Sequence, residues 1–301
     1  MNILLIGYNR PALIKMHLEN LKKQKIDFNS LYIVIDGPKE KSDNQLNHDF
    51  WDILLSYKMP LDNIKMRNKN FGCRYGVKSA IDWFFSKVDE GLILEDDCQI
   101  GETTLDYFEQ SRCLLNLKEV FCISGSNPFK CKTAECISYD DYRCISEIPL
   151  IWGWYTTSEN WYGINFKSEN SIKRFISGVA AFSSVYITAY FLRLHRLVRA
   201  KKLDTWDIDV VWHCIERNKY CIYPNKNQII NIGDGLAATN LKMANASMNL
   251  EVESFNVKSK FAVSGQMQNF RGKLGVAKRI YDFSFYNKLK LIVKEFACVL
   301  R

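Results

Sequence analysis

The chain of 301 residues carries 41 Lys and Arg against 33 Asp and Glu, a formal charge of +8, with 47% hydrophobic and 25% charged residues. Its 18 Phe, 15 Tyr and 7 Trp supply a large core, and with only 15 Gly and 6 Pro it is not disordered, collagen-like or of low complexity. Ten cysteines without a C-x-x-C pair point to reduced thiols filling the core of a cytoplasmic protein, and no basic leader or cleavage site marks a secretory signal before Gly7.

Ile3 to Ile6 reads as a buried strand, and Pro11 then opens a helix with Leu13, Ile14, Leu18 and Leu21 on its apolar side. Leu31 to Ile35 is a second strand, ended by the turn residues Asp36-Gly37-Pro38. Asn63 to Met66 is a weaker third. After Asn70-Phe71-Gly72 a helix carries Val77, Ala80, Ile81, Phe84, Phe85 and Val88, and a fourth strand, Gly91 to Leu94, runs into Glu95-Asp96-Asp97. Alternation of strand and helix at this spacing predicts an α/β fold with a mostly parallel sheet, in which ligands bind beyond the carboxyl ends of the strands. Those ends carry Gly7 to Arg10, Asp36-Gly37 and the acidic triplet.

Phe121 to Ser124 reads as a fifth strand leading into Gly125-Ser126-Asn127, followed by an aromatic concentration at Trp152, Trp154, Tyr155, Trp161 and Tyr162. Phe175 to Leu192 is strongly apolar, yet its serines, threonine and tyrosines and its length argue for a packed or interfacial helix in place of a membrane span. Basic residues gather late, at Arg193, Arg196, Arg199, Lys201 and Lys202 and again from Lys278 to Lys294 among apolar residues. The last segment suits either an anionic membrane surface or a terminal helix docked on its own domain. We therefore expect a catalytic domain over 1–245 and a helical C-terminal appendage over 246–301.

Three consecutive acids after a buried strand repel one another unless a cation sits among them. All-oxygen ligands favour Mg²⁺ or Mn²⁺, held by one or two carboxylates and completed by substrate phosphates. The bland alternative is a solvated acidic turn. Tryptophans offer faces for sugar C–H surfaces or simply fill a core. The four histidines read most simply as surface or helix residues.

Taken in order, Gly7-Tyr8-Asn9-Arg10-Pro11, Asp36-Gly37, Leu94 to Asp97, Ser124 to Asn127, Trp152-Gly153-Trp154 and Thr205-Trp206-Asp207 resemble GT-A glycosyltransferases of the N-acetylglucosaminyltransferase I type. More closely, they resemble bacterial glycosyltransferases of surface-polysaccharide clusters, over roughly residues 3 to 240. The resemblance implies a Rossmann-like GT-A domain that transfers a sugar with inversion from a nucleotide donor, UDP-linked, to a free or lipid-linked glycan acceptor at the inner leaflet. By the same resemblance Asp36 meets uracil, Arg10 the diphosphate and Asp97 the metal. Glu95 and Asp96 face the sugar and ribose, Asn127 and the Trp152 to Trp154 segment line the sugar and acceptor pocket, and Asp207 is the catalytic base. The chain departs from the pattern at Asn240, where relatives often carry His. The alternatives are a sugar-1-phosphate nucleotidyltransferase, which usually shows a Gly-rich loop after the first strand, and a non-catalytic sugar- or nucleic-acid-binding protein. Nucleic-acid binding is disfavoured because the basic residues lie apart from the aromatic segment.

Overall fold

The computed structural model describes residues 1–40, 44–127, 143–167, 171–224, 226–232, 288, 291, 292 and 295. Strand β1 (Ile3–Gly7) is followed by helix α1 (Pro11–Lys23), β2 (Leu31–Ile35), α2 (Asn44–Ser56), β3 (Ile64–Met66), α3 (Gly72–Phe85) and β4 (Glu90–Glu95). β1 pairs in parallel with β2 and β4, and β2 with β3. The apolar runs of β1, β2 and β4 are buried on both faces, and period-2 alternation divides them. Ile3, Leu5, Leu31, Ile33, Ile35, Leu92 and Leu94 pack with Ile14, Leu18 and Leu21 of α1 and Phe50 and Leu54 of α2. Leu4, Ile6, Val34 and Ile93 pack on the other side against Val77, Ala80, Ile81 and Phe84 of α3.

The chain continues through β5 (Cys98–Ile100), α4 (Thr104–Ser111), β6 (Val120–Ser124), β7 (Arg143–Ser146), β8 (Trp154–Thr157), α5 (Ser158–Tyr162), α6 (Ser171–Phe182), α7 (Val185–Arg199), α8 (Asp207–Arg217), β9 (Tyr220–Pro224) and β10 (Ile229–Asn231). The main sheet has eight strands in the order β3-β2-β1-β4-β8-β6-β9-β7, and β10 pairs with β5 in a small second sheet. β8 is antiparallel to both neighbours and β7 to β9, so the sheet is mostly parallel with helices on both faces, the expected α/β class. The strand order reverses between β1 and β4, which opens a crevice at their carboxyl ends.

Several expectations are corrected. The apolar stretch from Phe175 to Leu192 is two helices. Ser183 takes a left-handed φ of 47°, and Ser184 caps α7 by accepting from the Ile187 N–H at 3.4 Å. No helix among the described residues is long and apolar enough to cross a membrane. Trp154, expected in the sugar and acceptor pocket, is buried in the core: it stacks on Trp206 at 5.8 Å, and Trp161 meets Trp206 edge-on at 6.0 Å. Of the two readings of the histidines, surface or helix residue, His17 takes the second: it lies in α1 and is completely buried.

Lys288, Leu291, Ile292 and Glu295, spaced to share one helical face, are helical, and Lys288 and Glu295 touch α7. The Lys288 ammonium lies 4.7 Å from the Tyr186 ring centre, and the nearly buried Glu295 carboxylate pairs with Arg196 at 2.5 Å. These contacts are those of a docked terminal helix. The boundary at 245, the loop ending at Asn240 and most of the basic tail lie outside the described residues.

Candidate functional site

The carboxyl ends of β1, β2, β3 and β4 and the start of α3 enclose a cleft of about 360 Å³, lined by Gly7, Tyr8, Arg10, Asp36, Lys39, Arg67, Gly72, Cys73, Glu95, Asp96 and Asp204 among others. The tight turn Glu95 to Cys98 joins β4 to β5 and puts Glu95 and Asp96 on the cleft wall, with Asp97 next to them. Arg10 reaches them directly. Its Nε donates to Asp96 Oδ2 at 3.2 Å, its Nη2 bonds Asp96 Oδ1, and the same nitrogen lies 3.4 Å from Asp97 Oδ2. The Tyr8 backbone N–H also donates to Asp96 at 3.3 Å. From below, His17 Nε2 donates to the Asp96 carbonyl at 3.1 Å while its Nδ1 has no partner. Burial holds His17 neutral and lowers its pKa to about 4.

Burial and then the neighbouring charges of Asp97, Asp96 and Asp207 hold the Glu95 carboxyl well above the usual carboxylate range. Burial likewise raises Asp96 to about 6, against the opposing pull of Arg10. Asp97 keeps about a fifth of its side chain exposed, and its backbone carbonyl is fixed by the Ile232 N–H at 2.8 Å. Among the described residues no three His, Cys, Asp or Glu side chains form a ready metal cage. The donor chemistry fits a hard divalent cation held by one or two carboxylates and completed by substrate oxygens, because such a charge would discharge the crowded triplet.

At the other end of the cleft, Asp36 accepts from the Phe71 N–H at 3.0 Å and from Arg67 Nη1 at 3.2 Å. Arg67 is nearly buried. Its Nη2 donates to the Gly76 carbonyl at 2.9 Å and the Ser79 hydroxyl at 2.7 Å, its guanidinium lies 4.8 Å from the Phe71 ring centre, and its Nε lacks a partner. Arg67 is absent from the sequence expectations, yet it follows β3 as Asp36 follows β2, so the strand-end rule applied to the weak third strand would have found it.

Asp207 starts α8, where its Oδ1 accepts from the Thr205 hydroxyl. Its pKa is raised, first by burial, and its charge reaches both Glu95 and Cys73. Asp204 precedes the helix and is no part of it. Instead Asp204 caps α3, accepting from the Cys73 and Arg74 N–H groups at 2.8 and 3.1 Å. Gly72 permits this approach: its φ is +73°, and a Cβ there would stand 2.6 Å from the Asp204 carboxylate. Asp209 is fully buried between Arg74 and Arg199. Arg10, Asp36, Glu95 and Asp96 thus line one cleft, with Asp97 against Arg10; Asp207 is not on the cleft wall, though its charge acts on Glu95. Asn127 is not brought to the cleft wall: it is buried beyond β6, where its N–H donates to Asn227 Oδ1 at 2.8 Å.

No protein-family model and no curated protein matches the chain. Among solved structures it is similar to the mannosyltransferase PcManGT from Pyrobaculum calidifontis in complex with GDP-Man and Mn²⁺, at 12% identity and a TM-score of 0.39 over 71% of this chain and 69% of that one. It is also similar to the galactosyltransferase LgtC in complex with donor and acceptor sugar analogs, at 8% identity and a TM-score of 0.35 over 74% and 73% of the two chains. A cytidylyltransferase from Leptospira borgpetersenii serovar Hardjo-bovis (strain JB197) matches at 12% identity and a TM-score of 0.34 over 56% of this chain, which spans 64% of that protein's length. No residue role passes from such distant likenesses to this chain.

Proposed function

We propose that the chain is a metal-dependent GT-A glycosyltransferase that moves a sugar from a uridine diphosphate donor to a glycan hydroxyl with inversion. One observation carries this reading: the ion pair of Asp36 with Arg67 shares a single cleft with a cation, Arg10, and the carboxylates of Glu95 and Asp96, with Asp97 beside them on Arg10. A carboxylate beside a guanidinium matches an N–H next to a carbonyl on a base edge. Uracil presents that pattern, whereas cytosine and adenine present a ring acceptor beside an amino group. Guanine's lactam edge has the same order, so size must separate it from uracil.

Asp97 would hold Mn²⁺ or Mg²⁺, with Glu95 near enough to share the charge. When bound, the metal neutralises the charge that grows on the departing diphosphate. Arg10 then orients phosphate oxygens, and Asp96 holds Arg10 in place. Asp207 takes the proton from the acceptor hydroxyl as that oxygen attacks the anomeric carbon opposite the diphosphate. Its burial favours the neutral acid and so makes the carboxylate a stronger base. A lipid-linked acceptor would bring the chain to the inner face of a membrane as a peripheral protein.

Calorimetry with UDP, CDP and ADP in the presence of Mn²⁺ tests the reading at its carrying observation. UDP is expected to bind at least tenfold more tightly than the other two, and Asp36→Asn is expected to remove that preference. Equal binding of all three by the parent would take the Asp36–Arg67 pair out of donor recognition.

A further inference from the structure

We infer that Arg74 is the positioning residue for Asp207, strapping the segment that bears the base to the wall of the cleft. The inference rests on the base assignment proposed above and adds a residue to it. Arg74 stands in the first turn of α3, whose start lines the cleft, and holds residues 204 to 209 at three points. Its backbone N–H donates to Asp204 Oδ1 at 3.1 Å, its Nη1 to the Thr205 carbonyl at 2.9 Å, and its Nη2 to Asp209 Oδ2 at 2.6 Å. The three acceptors bracket Asp207 on both sides, and Thr205 itself bonds the Asp207 carboxylate.

The far end of the strap is anchored. Asp209 Oδ1 accepts from Arg199 Nη2 at 3.0 Å, and Arg199 Nε donates to His195 Nε2 at 3.0 Å. That same His195 nitrogen faces Arg174, which is buried and paired with Glu216 at 2.9 Å. The His195 ring thus joins Arg199 to the buried Arg174. The first turn of α8 is thereby tied to α3 through Arg74 and to α7 through Arg199. Under α8 the stacked Trp206 and Trp154 leave no slack for a compensating shift. The donor-cleft wall and the base therefore share one rigid reference, which single displacement needs because attacking oxygen, anomeric carbon and leaving group must be in line.

Lysine cannot replace this strap, since a point charge does not span a carbonyl and a carboxylate with a fixed fork. Arg74 keeps a quarter of its side chain exposed, so its replacement does not leave a large void. We would measure turnover, the Mn²⁺-UDP dissociation constant and the melting temperature of the full chain for Arg74→Lys and Arg74→Gln. Arg196→Gln, which breaks the ion pair of α7 with Glu295, serves as a stability control. Expected are a fall in kcat of tenfold or more for both Arg74 variants, UDP affinity within twofold of the parent, and full kcat for Arg196→Gln even where its melting temperature falls as far. Unchanged kcat in an active parent background, or a kcat that falls in all three variants in step with melting temperature, overturns the inference and leaves the glycosyltransferase reading standing. A parent that releases UDP from no UDP-sugar while binding UDP rejects the base assignment and the strap together.

Discussion

Asp207 and His17 show how burial sets the work a single residue can do. A base within reach of the acceptor hydroxyl contributes about 10²- to 10⁴-fold, so Asp207→Asn is expected to lower turnover by that factor while leaving UDP affinity unchanged. Loss of activity in Asp204→Asn with a fully active Asp207→Asn would move the role to Asp204, against its double engagement as a helix cap. His17 gives a pH signature. The folded chain keeps it neutral down to about pH 4, whereas the unfolded chain takes up a proton below about pH 6.5, so acidification through that window favours unfolding. The expected slope is about 1.4 kcal/mol per pH unit for this group alone. A glutamine at position 17 can still donate to the Asp96 carbonyl but does not titrate. The stability of His17→Gln relative to the parent should therefore rise as pH falls from 6.5 to 4, as read by urea unfolding at each pH; a difference constant across pH would show that His17 is not held neutral.

Helices and strands differ in how much of their placement the sequence declares. β1, β2, β4 and β6 are apolar runs buried on both faces, and the helix opened by Pro11 and the face of α3 follow from their periodicity, so all of these were legible. β5 is three residues long and exists because β10 pairs with it from more than a hundred residues away. β7 mixes Arg143 and Ser146 into its run, and only pairing with β9 defines it. The break at Ser183 escaped notice because the apolar residues continue across it, while the Ser184 cap is a short polar signal within them. Close packing of Gly178 on Thr188, where a Cβ would meet the threonine methyl at 2.6 Å, then fixes α6 against α7. The same α7 receives the C-terminal helix through Tyr186 and Arg196. A chain cut after residue 287 is expected to lose about 1.5 kcal/mol or more of stability from the buried Leu291 alone. Unchanged unfolding with loss of binding to anionic vesicles would instead assign the segment to a membrane.

Across the whole molecule, the site was legible wherever it obeys the strand-end rule. Arg10, Asp36 and the acidic triplet follow β1, β2 and β4 in sequence, and the parallel sheet gathers them without further information. What escaped depends on partners distant in the chain: Arg67 on Asp36, Arg74 on Asp209, His17 on the Asp96 carbonyl. Residue type alone did not tell pocket tryptophans from core tryptophans, because both want apolar contact; Trp154, Trp161 and Trp206 form a buried aromatic cluster at the start of α8.

As proposed, this cleft cleaves a sugar from a nucleoside diphosphate. A nucleotidyltransferase would use the same sheet edge but release pyrophosphate from a nucleoside triphosphate and a sugar phosphate. The direct measurement is the product formed with Mn²⁺ from a panel of UDP-sugars and, in parallel, from UTP with the corresponding sugar 1-phosphates, separated by anion-exchange chromatography. Free UDP is expected from at least one UDP-sugar, lost in EDTA and in Asp97→Ala, and no pyrophosphate. Pyrophosphate from UTP with no UDP from any UDP-sugar would contradict it.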